Sequence, residues 1–305
     1  MSDVYFSIIT PTYNRAHLIG RTIESVIQQS FTDWELIIID DGSTDNTKEV
    51  VSKYVDTRLK YFWQENLERS AARNNGIEKA TGEFICFLDS DDIWRSHHLE
   101  TLNQAIGQNQ NKPGLYFTGM CWNFPDRKQD VVFENPKGEN PVEYVITNQI
   151  GVPCTCINRV IFDKYKFNTT LKINEDVELF ARIVSEYPLM QIPIVTVDVL
   201  IHGENTKAQE QDYITPQIIA TRLIFNNDSL KNRISVSFKR NRLCNLRHQL
   251  INHYYNTGLY YKMNLEIIRF LILYPLDPRN KSKLVLLLYH LPGGNILKSI
   301  IRKLK

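Results

Sequence analysis

No stretch of the chain offers the roughly 18–20 consecutive apolar residues that a membrane-spanning helix needs, which excludes a helical channel or transporter. Cysteine is sparse: five residues (86, 121, 154, 156, 244), an odd number with no framework spacing. That excludes a disulfide-stapled secreted domain, and no further ligand pair accompanies Cys154 and Cys156 to make a zinc site. The expected compartment is reducing, hence cytoplasmic. Met1-Ser-Asp3 passes directly into a strand pattern, so no signal peptide is expected. Internal repeats and low-complexity segments are also lacking, which leaves an ordinary globular chain.

Acidic residues are nearly missing from one region. Residues 226–305 hold 15 Lys/Arg against 3 Asp/Glu, a charge of +12, whereas residues 1–225 hold 21 against 31, or −10. The overall +2 hides this asymmetry. A basic, leucine-rich end on an acidic body predicts contact with an anionic surface. Leu284–Leu288, Leu291 and Ile296–Lys305 carry the composition of an interfacial amphipathic helix, and peripheral contact with anionic lipid is expected there; the alternative is a helical cap whose leucines pack on the main domain while its basic face is solvated. A nucleic-acid partner is not expected, because no motif joins stacked aromatics to basic residues.

At 305 residues, 43% hydrophobic and 23% charged, the chain can bury one large domain and an appendage. Tyr5–Thr10, Trp34–Ile39, Leu59–Trp63 and Phe84–Leu88 read as strands. Helical spacing appears at Ile19, Ile23, Val26 and Ile27, at Val50, Val51 and Tyr54, over Arg69–Ala80, and at Leu99, Leu102 and Ile106. Ser43 or Thr44 is the expected cap of the second helix. Alternation of this kind predicts a doubly wound, mostly parallel sheet of the α/β class, with ligands outside the strands' carboxyl ends. Three polar loops follow strand ends, at 11–15, 40–45 and 89–92, and should converge on one crevice. From Leu115 the pattern changes. Strands are expected at Leu115–Phe124, Val152–Ile157 and Ile192–Leu200, a polar loop at 125–140, and a helix at Asn174–Val184. Beyond about Thr215 the chain reads as helical, basic and aromatic.

The turn after the fourth strand is chemically distinctive. Phe84–Leu88 delivers Asp89, Asp91 and Asp92 together. Carboxylates so crowded repel one another, and each moves towards its protonated form unless a cation sits there. Mg²⁺ or Mn²⁺ takes such oxygen ligands and shares them with substrate phosphates. The competing reading is a solvated turn that caps the next helix, a role expected for Asp92.

Ser7-Ile-Ile-Thr-Pro-Thr-Tyr-Asn-Arg15, Ile39-Asp-Asp-Gly-Ser-Thr-Asp45, Ala72-Arg-Asn-Asn-Gly76 and Leu88-Asp-Ser-Asp-Asp92 together resemble the family 2 glycosyltransferases. The resemblance covers about residues 5–205. It implies the GT-A fold, a nucleotide-sugar donor and inverting chemistry. It implies that Pro11 and Tyr13 lie against the base, that Asp41 accepts the base imide N–H, which points to uracil or, less often, thymine or guanine, and that Asn66 and Arg73 help hold the nucleoside and diphosphate. Arg15 and Ser90 fall within the same donor motifs. Asp89 and Asp91 match the DxD pair, with Asp89 near ribose and metal and Asp91 ligating the divalent metal directly. His202 resembles a late metal- or diphosphate-binding histidine. Asn174-Glu175-Asp176 matches the Glu-Asp motif, implying Asp176 as the general base with Glu175 as fallback. The competing structural readings are Tyr13 as a core aromatic, Arg73 as a partner of Asp41 or Glu78, and Glu175 and Asp176 as complements of a helix dipole, the last being preferred without the resemblance.

The expected organisation is a transferase domain over residues 1–220, divided into a nucleotide-sugar half (1–112) and an acceptor half (113–220), followed by a basic helical region over 221–305. The function implied is transfer of a sugar from a UDP-sugar to a glycan or lipid-linked saccharide in bacterial surface-polysaccharide assembly, at the inner face of the cytoplasmic membrane. A catalytically idle nucleotide-sugar-binding or scaffold protein on the same fold is the alternative. Retention of Asp41, Asp89, Asp91 and Asp176 together argues against it.

Overall fold

The computed structural model describes residues 4–203 and 212–290. The chain divides into two compact units, Met1–Gln209 with Asn226–Arg233, and Glu210–Phe225 with Ile234–Lys305.

The first unit is built on strands whose side chains are buried on both faces. β1 (Phe6–Thr12) and β2 (Trp34–Asp40) are buried at every position. That explains their largely apolar sequence, since a parallel strand covered by helices on both faces has no solvent side. β3 (Leu59–Trp63) and β4 (Phe84–Phe87) flank them, giving the parallel order β3-β2-β1-β4. The connecting helices are α1 (Ile19–Ile27), α2 (Thr47–Ser52) and α3 (Glu68–Lys79). The doubly wound α/β arrangement expected from the sequence is present, and β1, β2 and β4 end side by side.

The acidic turn leads into a two-residue strand, β5 (Ile93–Trp94), and then α4 (His98–Gln108), which buries Leu99, Leu102 and Ile106. β6 (Leu115–Asn123), β7 (Lys128–Val131), β8 (Thr155–Asn158) and β9 (Leu189–Leu200) extend the same sheet. Its path is β3-β2-β1-β4-β8-β6-β9-β5, with β7 paired to β6. β8 runs antiparallel between β4 and β6, Cys86 facing Cys156 in register. α5 (Pro141–Asn148) starts where Asn140 accepts from the backbone N–H of Val142 and Glu143. α6 (Glu175–Val184) buries Val177, Phe180, Ala181 and Val184, the face expected for it.

Several local expectations need correcting. Neither Ser43 nor Thr44 caps α2; Asp45 does this work, accepting from Thr47 N at 3.0 Å and from its hydroxyl. The polar 125–140 stretch includes β7, held by pairing with β6 rather than by any alternation of its own. Residues 152–154 form a 3₁₀ turn, and the strand begins only at Thr155. Asp92 caps no helix, since α4 begins at His98. Its buried Oδ1 accepts from Leu200 N at 3.2 Å, tying the acidic turn to the end of β9.

The second unit is helical: α7 (Ile214–Asn226), α8 (Val236–Asn256), α9 (Tyr260–Leu273) and α10 (Asn280–His290). Ser235 caps α8 by accepting from Phe238 N. Its core joins Leu250, Ile251 and Tyr254 of α8 to Met263, Ile267 and Phe270 of α9. Arg247 and Glu266 pair within it. Among the described residues no helix is long and apolar enough to cross a membrane. Leu291 and residues 296–305, expected to form an interfacial helix, lie outside the described residues.

Candidate active site

Two of the three loops are stitched together by one asparagine. Asn14 sits at φ 51°, a left-handed conformation Asn tolerates better than most residues. Its N–H donates to Ser43 Oγ at 2.9 Å, and its Oδ1 accepts from Thr44 N at 2.8 Å. Sequence reasoning passed over it, although an asparagine just after a strand end was the available signal. On this platform Pro11 is buried and the Tyr13 ring is 47% exposed, so Tyr13 is no core aromatic. Arg15 donates its backbone N–H to Thr47 Oγ1, and its charge acts on Asp91, which brings the first loop to the third.

Asp41 is buried at the end of β2. Its Oδ1 accepts from Gln64 Nε2 at 2.6 Å and Leu67 N at 2.9 Å. Gln64, a second residue the sequence reading missed, is held in turn by Asn75. Asn66 is exposed. It packs on Gly42, whose φ of +84° and missing side chain let the two loops touch; a Cβ there would lie 2.9 Å from Asn66 N.

Arg73, from the middle of α3, is buried and meets neither Asp41 nor Glu78 through any ion pair among the described residues. Its Nη2 donates to Asp89 Oδ1 at 2.7 Å and its Nη1 to Glu175 Oε1 at 3.0 Å. Burial alone would lower its pKa; the charges of Asp89 and Glu175 more than offset this and raise it. Arg69 Nε also reaches Glu175, at 2.9 Å. One guanidinium thus joins the acidic turn after β4 to the first residue of α6, and Glu175 Oε1 is shared by two arginines.

Asp176 follows immediately and is partly buried. Its Oδ1 accepts from Val177 N at 2.7 Å. Burial, then the neighbouring Glu175 charge, pushes its pKa up to about 6, while Arg73 and Arg69 pull the other way. Asp91 Oδ2 lies 3.0 Å from His202 Nε2. Burial and then Asp89 raise the Asp91 pKa against the pull of His202. Ser90 is buried between the two aspartates. Asp92 is pushed well above the ordinary carboxylate range by burial and by Asp91 and Asp89.

The donor set suits a hard divalent cation only in part. Asp91 and His202 converge, but Asp89 Oδ1 is turned to Arg73. Among the described residues no three His, Cys, Asp or Glu side chains are gathered as a complete metal site. Mg²⁺ and Mn²⁺ commonly take one or two carboxylates and complete their shell with water and substrate phosphates, so two converging protein ligands fit a shared site rather than a closed one.

Residues 7–165, more than half of the chain, match the sequence profile of Glycosyl transferase family 2. The chain belongs to this family. Among curated relatives of this family 2 chain, the Escherichia coli UDP-Glc:alpha-D-GlcNAc-diphosphoundecaprenol beta-1,3-glucosyltransferase WfgD is 46% identical over 101 residues, 33% of this chain and 40% of that protein. The Campylobacter jejuni GalNAc(5)-diNAcBac-PP-undecaprenol beta-1,3-glucosyltransferase is 44% identical over 106 residues, 33% of this chain and 34% of its own length. The chain thus spans about two fifths or less of those two proteins. Staphylococcus aureus TarS 1–349 in complex with UDP-GlcNAc superposes with a TM-score of 0.63 at 19% identity, covering 92% of this chain and 86% of TarS 1–349. That likeness establishes the GT-A fold.

Proposed function

We propose that the chain is a metal-assisted, inverting glycosyltransferase that moves one sugar from a UDP-sugar to a glycan or lipid-linked saccharide in bacterial surface-polysaccharide assembly. The observation that carries the reading is the ion chain Asp89–Arg73–Glu175. It sets Asp176, a carboxyl with a raised pKa, at the head of α6, beyond the turn that carries the DxD pair. The two relatives named above, whose names specify undecaprenol-diphosphate-linked acceptors, and the UDP-GlcNAc complex of TarS support the donor and acceptor classes.

In this reading Tyr13 stacks on the base and the second oxygen of Asp41 accepts the imide N–H. Asp91 and His202 would hold a divalent cation, which would supply positive charge for the departing diphosphate. Asp176 takes the proton of the acceptor hydroxyl as that oxygen bonds to the anomeric carbon from the face opposite the leaving diphosphate. The bond to the diphosphate oxygen breaks in the same displacement, which inverts the centre. A base with a pKa near 6 is ionised at neutral pH and still basic enough to accept that proton. Arg73 and Arg69 hold Glu175 in place through its Oε1, so Glu175 positions Asp176 rather than serving as the base.

A panel of UDP-, dTDP- and GDP-sugars, screened with Mn²⁺ for thermal stabilisation and nucleotide release, tests the proposal. UDP-sugars are expected to stabilise the protein. Stabilisation by none of them would remove the donor assignment. Stabilisation without transfer to any lipid-linked or glycan acceptor would favour the idle scaffold.

A further inference from the structure

α9 is apolar on both sides. Its inner face, Met263, Ile267 and Phe270, fills the core of the helical unit. On the opposite side Tyr261, Leu265, Ile268 and Ile272 recur at i, i+4, i+7 and i+11, exposed by 77%, 41%, 45% and 71%. Leu276, just beyond the helix, is 87% exposed. A surface helix of a globular unit ordinarily turns charged residues outward, so a continuous outer stripe of this kind marks a contact surface.

The charge around the stripe identifies its partner. The described residues of this unit carry 10 Lys/Arg against 3 Asp/Glu, +7. All three acids are engaged within the unit: Asp212 by Thr215 and Tyr254, Glu266 by Arg247, and Asp277 by Arg279. Lys262 and Arg269 stand exposed on α9 itself. Two copies brought together on this helix would set two units of like net charge, and Lys262 and Arg269 of each, against one another, and a nucleic acid would leave the apolar stripe in water. An anionic bilayer satisfies both features: the leucine and isoleucine side chains enter the headgroup boundary while the lysines and arginines meet phosphate.

We infer that the outer stripe of α9 is a membrane-docking face for anionic phospholipid. The contact expected from the sequence lay on the far C-terminus; the exposed apolar residues place it on residues 261–276. The inference stands apart from the transferase reading, because it concerns vesicle binding and not turnover.

Flotation of the full chain tests it, using phosphatidylcholine vesicles with and without about 30 mol % phosphatidylglycerol. The chain is expected to float with the anionic vesicles and to be released by salt. Leu265→Ser/Ile268→Ser/Ile272→Ser alters only exposed positions, so the melting temperature should hold while partition falls at least about tenfold. Lys262→Glu/Arg269→Glu, an independent variant, should lose binding selectively to the anionic vesicles. A chain truncated after residue 290 should still float. The inference is overturned if the triple-serine variant floats like the parent, or if truncation alone abolishes binding. It is equally overturned if the parent is a dimer that the serine variant dissociates while neither binds vesicles.

Discussion

The imidazole Nε2 of His202 stands 3.0 Å from Oδ2 of Asp91, although 111 residues separate them. The pair joins the acidic turn after β4 to the end of β9, and in the proposed reading it is the protein's share of a metal site. Asp91→Asn keeps the shape and removes the charge. Mn²⁺-dependent affinity for UDP, measured by titration calorimetry with and without the metal, is expected to fall at least about tenfold, in line with loss of a charged ligand. Undiminished Mn²⁺ dependence would end the assignment.

Arg73→Met leaves Asp89 and Glu175 facing each other without their shared cation. Breaking a buried ion pair from one side costs about 3–5 kcal/mol, so a large drop in melting temperature is expected. Arg73→Lys should recover only part of it, because an ammonium cannot reach two carboxylates with a planar fork. A melting temperature within a degree or so of the parent would show that the two carboxylates find other partners.

Asp176 should set the acid limb of the pH–rate profile. With a pKa of about 6 the base ionises as pH rises, so kcat is expected to climb through that value and level off above it. Asp176→Asn should abolish transfer and leave UDP affinity intact. Stability runs in the opposite sense. A carboxyl whose folded pKa lies above its ordinary 3.8 favours the folded state most at low pH, and that contribution is lost as pH rises towards 6. The Asn variant escapes this loss and should be more stable than the parent at pH 7, by on the order of 2 kcal/mol. A variant no more stable than the parent there would refute the raised pKa.

Gly42→Ala forces a side chain into a backbone at φ +84° and brings its Cβ to 2.9 Å from Asn66 N. Left-handed strain costs about 1–2 kcal/mol, and backbone cannot yield as a flexible side chain does. Thermal stability should fall, and donor affinity should fall further, because Asp41 and Asn66 flank the displaced turn. An unchanged affinity would show that this turn does not shape the nucleotide pocket.

The parallel core was legible because β1, β2 and β4 are buried on both faces, and an apolar run ending in a polar turn is a local signal. The faces of α4 and α6 could be read for the same reason. β8 could not, since nothing in Thr155–Asn158 says that it slots between β4 and β6; pairing decides that. β7 is polar and exists only through β6. At the site, residue types were readable but partners were not. Arg73 binds Asp89 and Glu175, and Asp92 accepts from Leu200, because of where distant segments arrive. Asn14 and Gln64 went unnoticed because their work is to hold backbone and carboxylate in place.

The interposition of β8 bears on how the chain can be cut. A fragment ending at residue 112 would leave β4 without Cys156 and its neighbours opposite it, an unpaired strand edge in the middle of what was a continuous sheet. Such an edge recruits other chains. The donor-side segment expressed alone should therefore aggregate, and co-expression with residues 113–305 should rescue its solubility by fragment complementation.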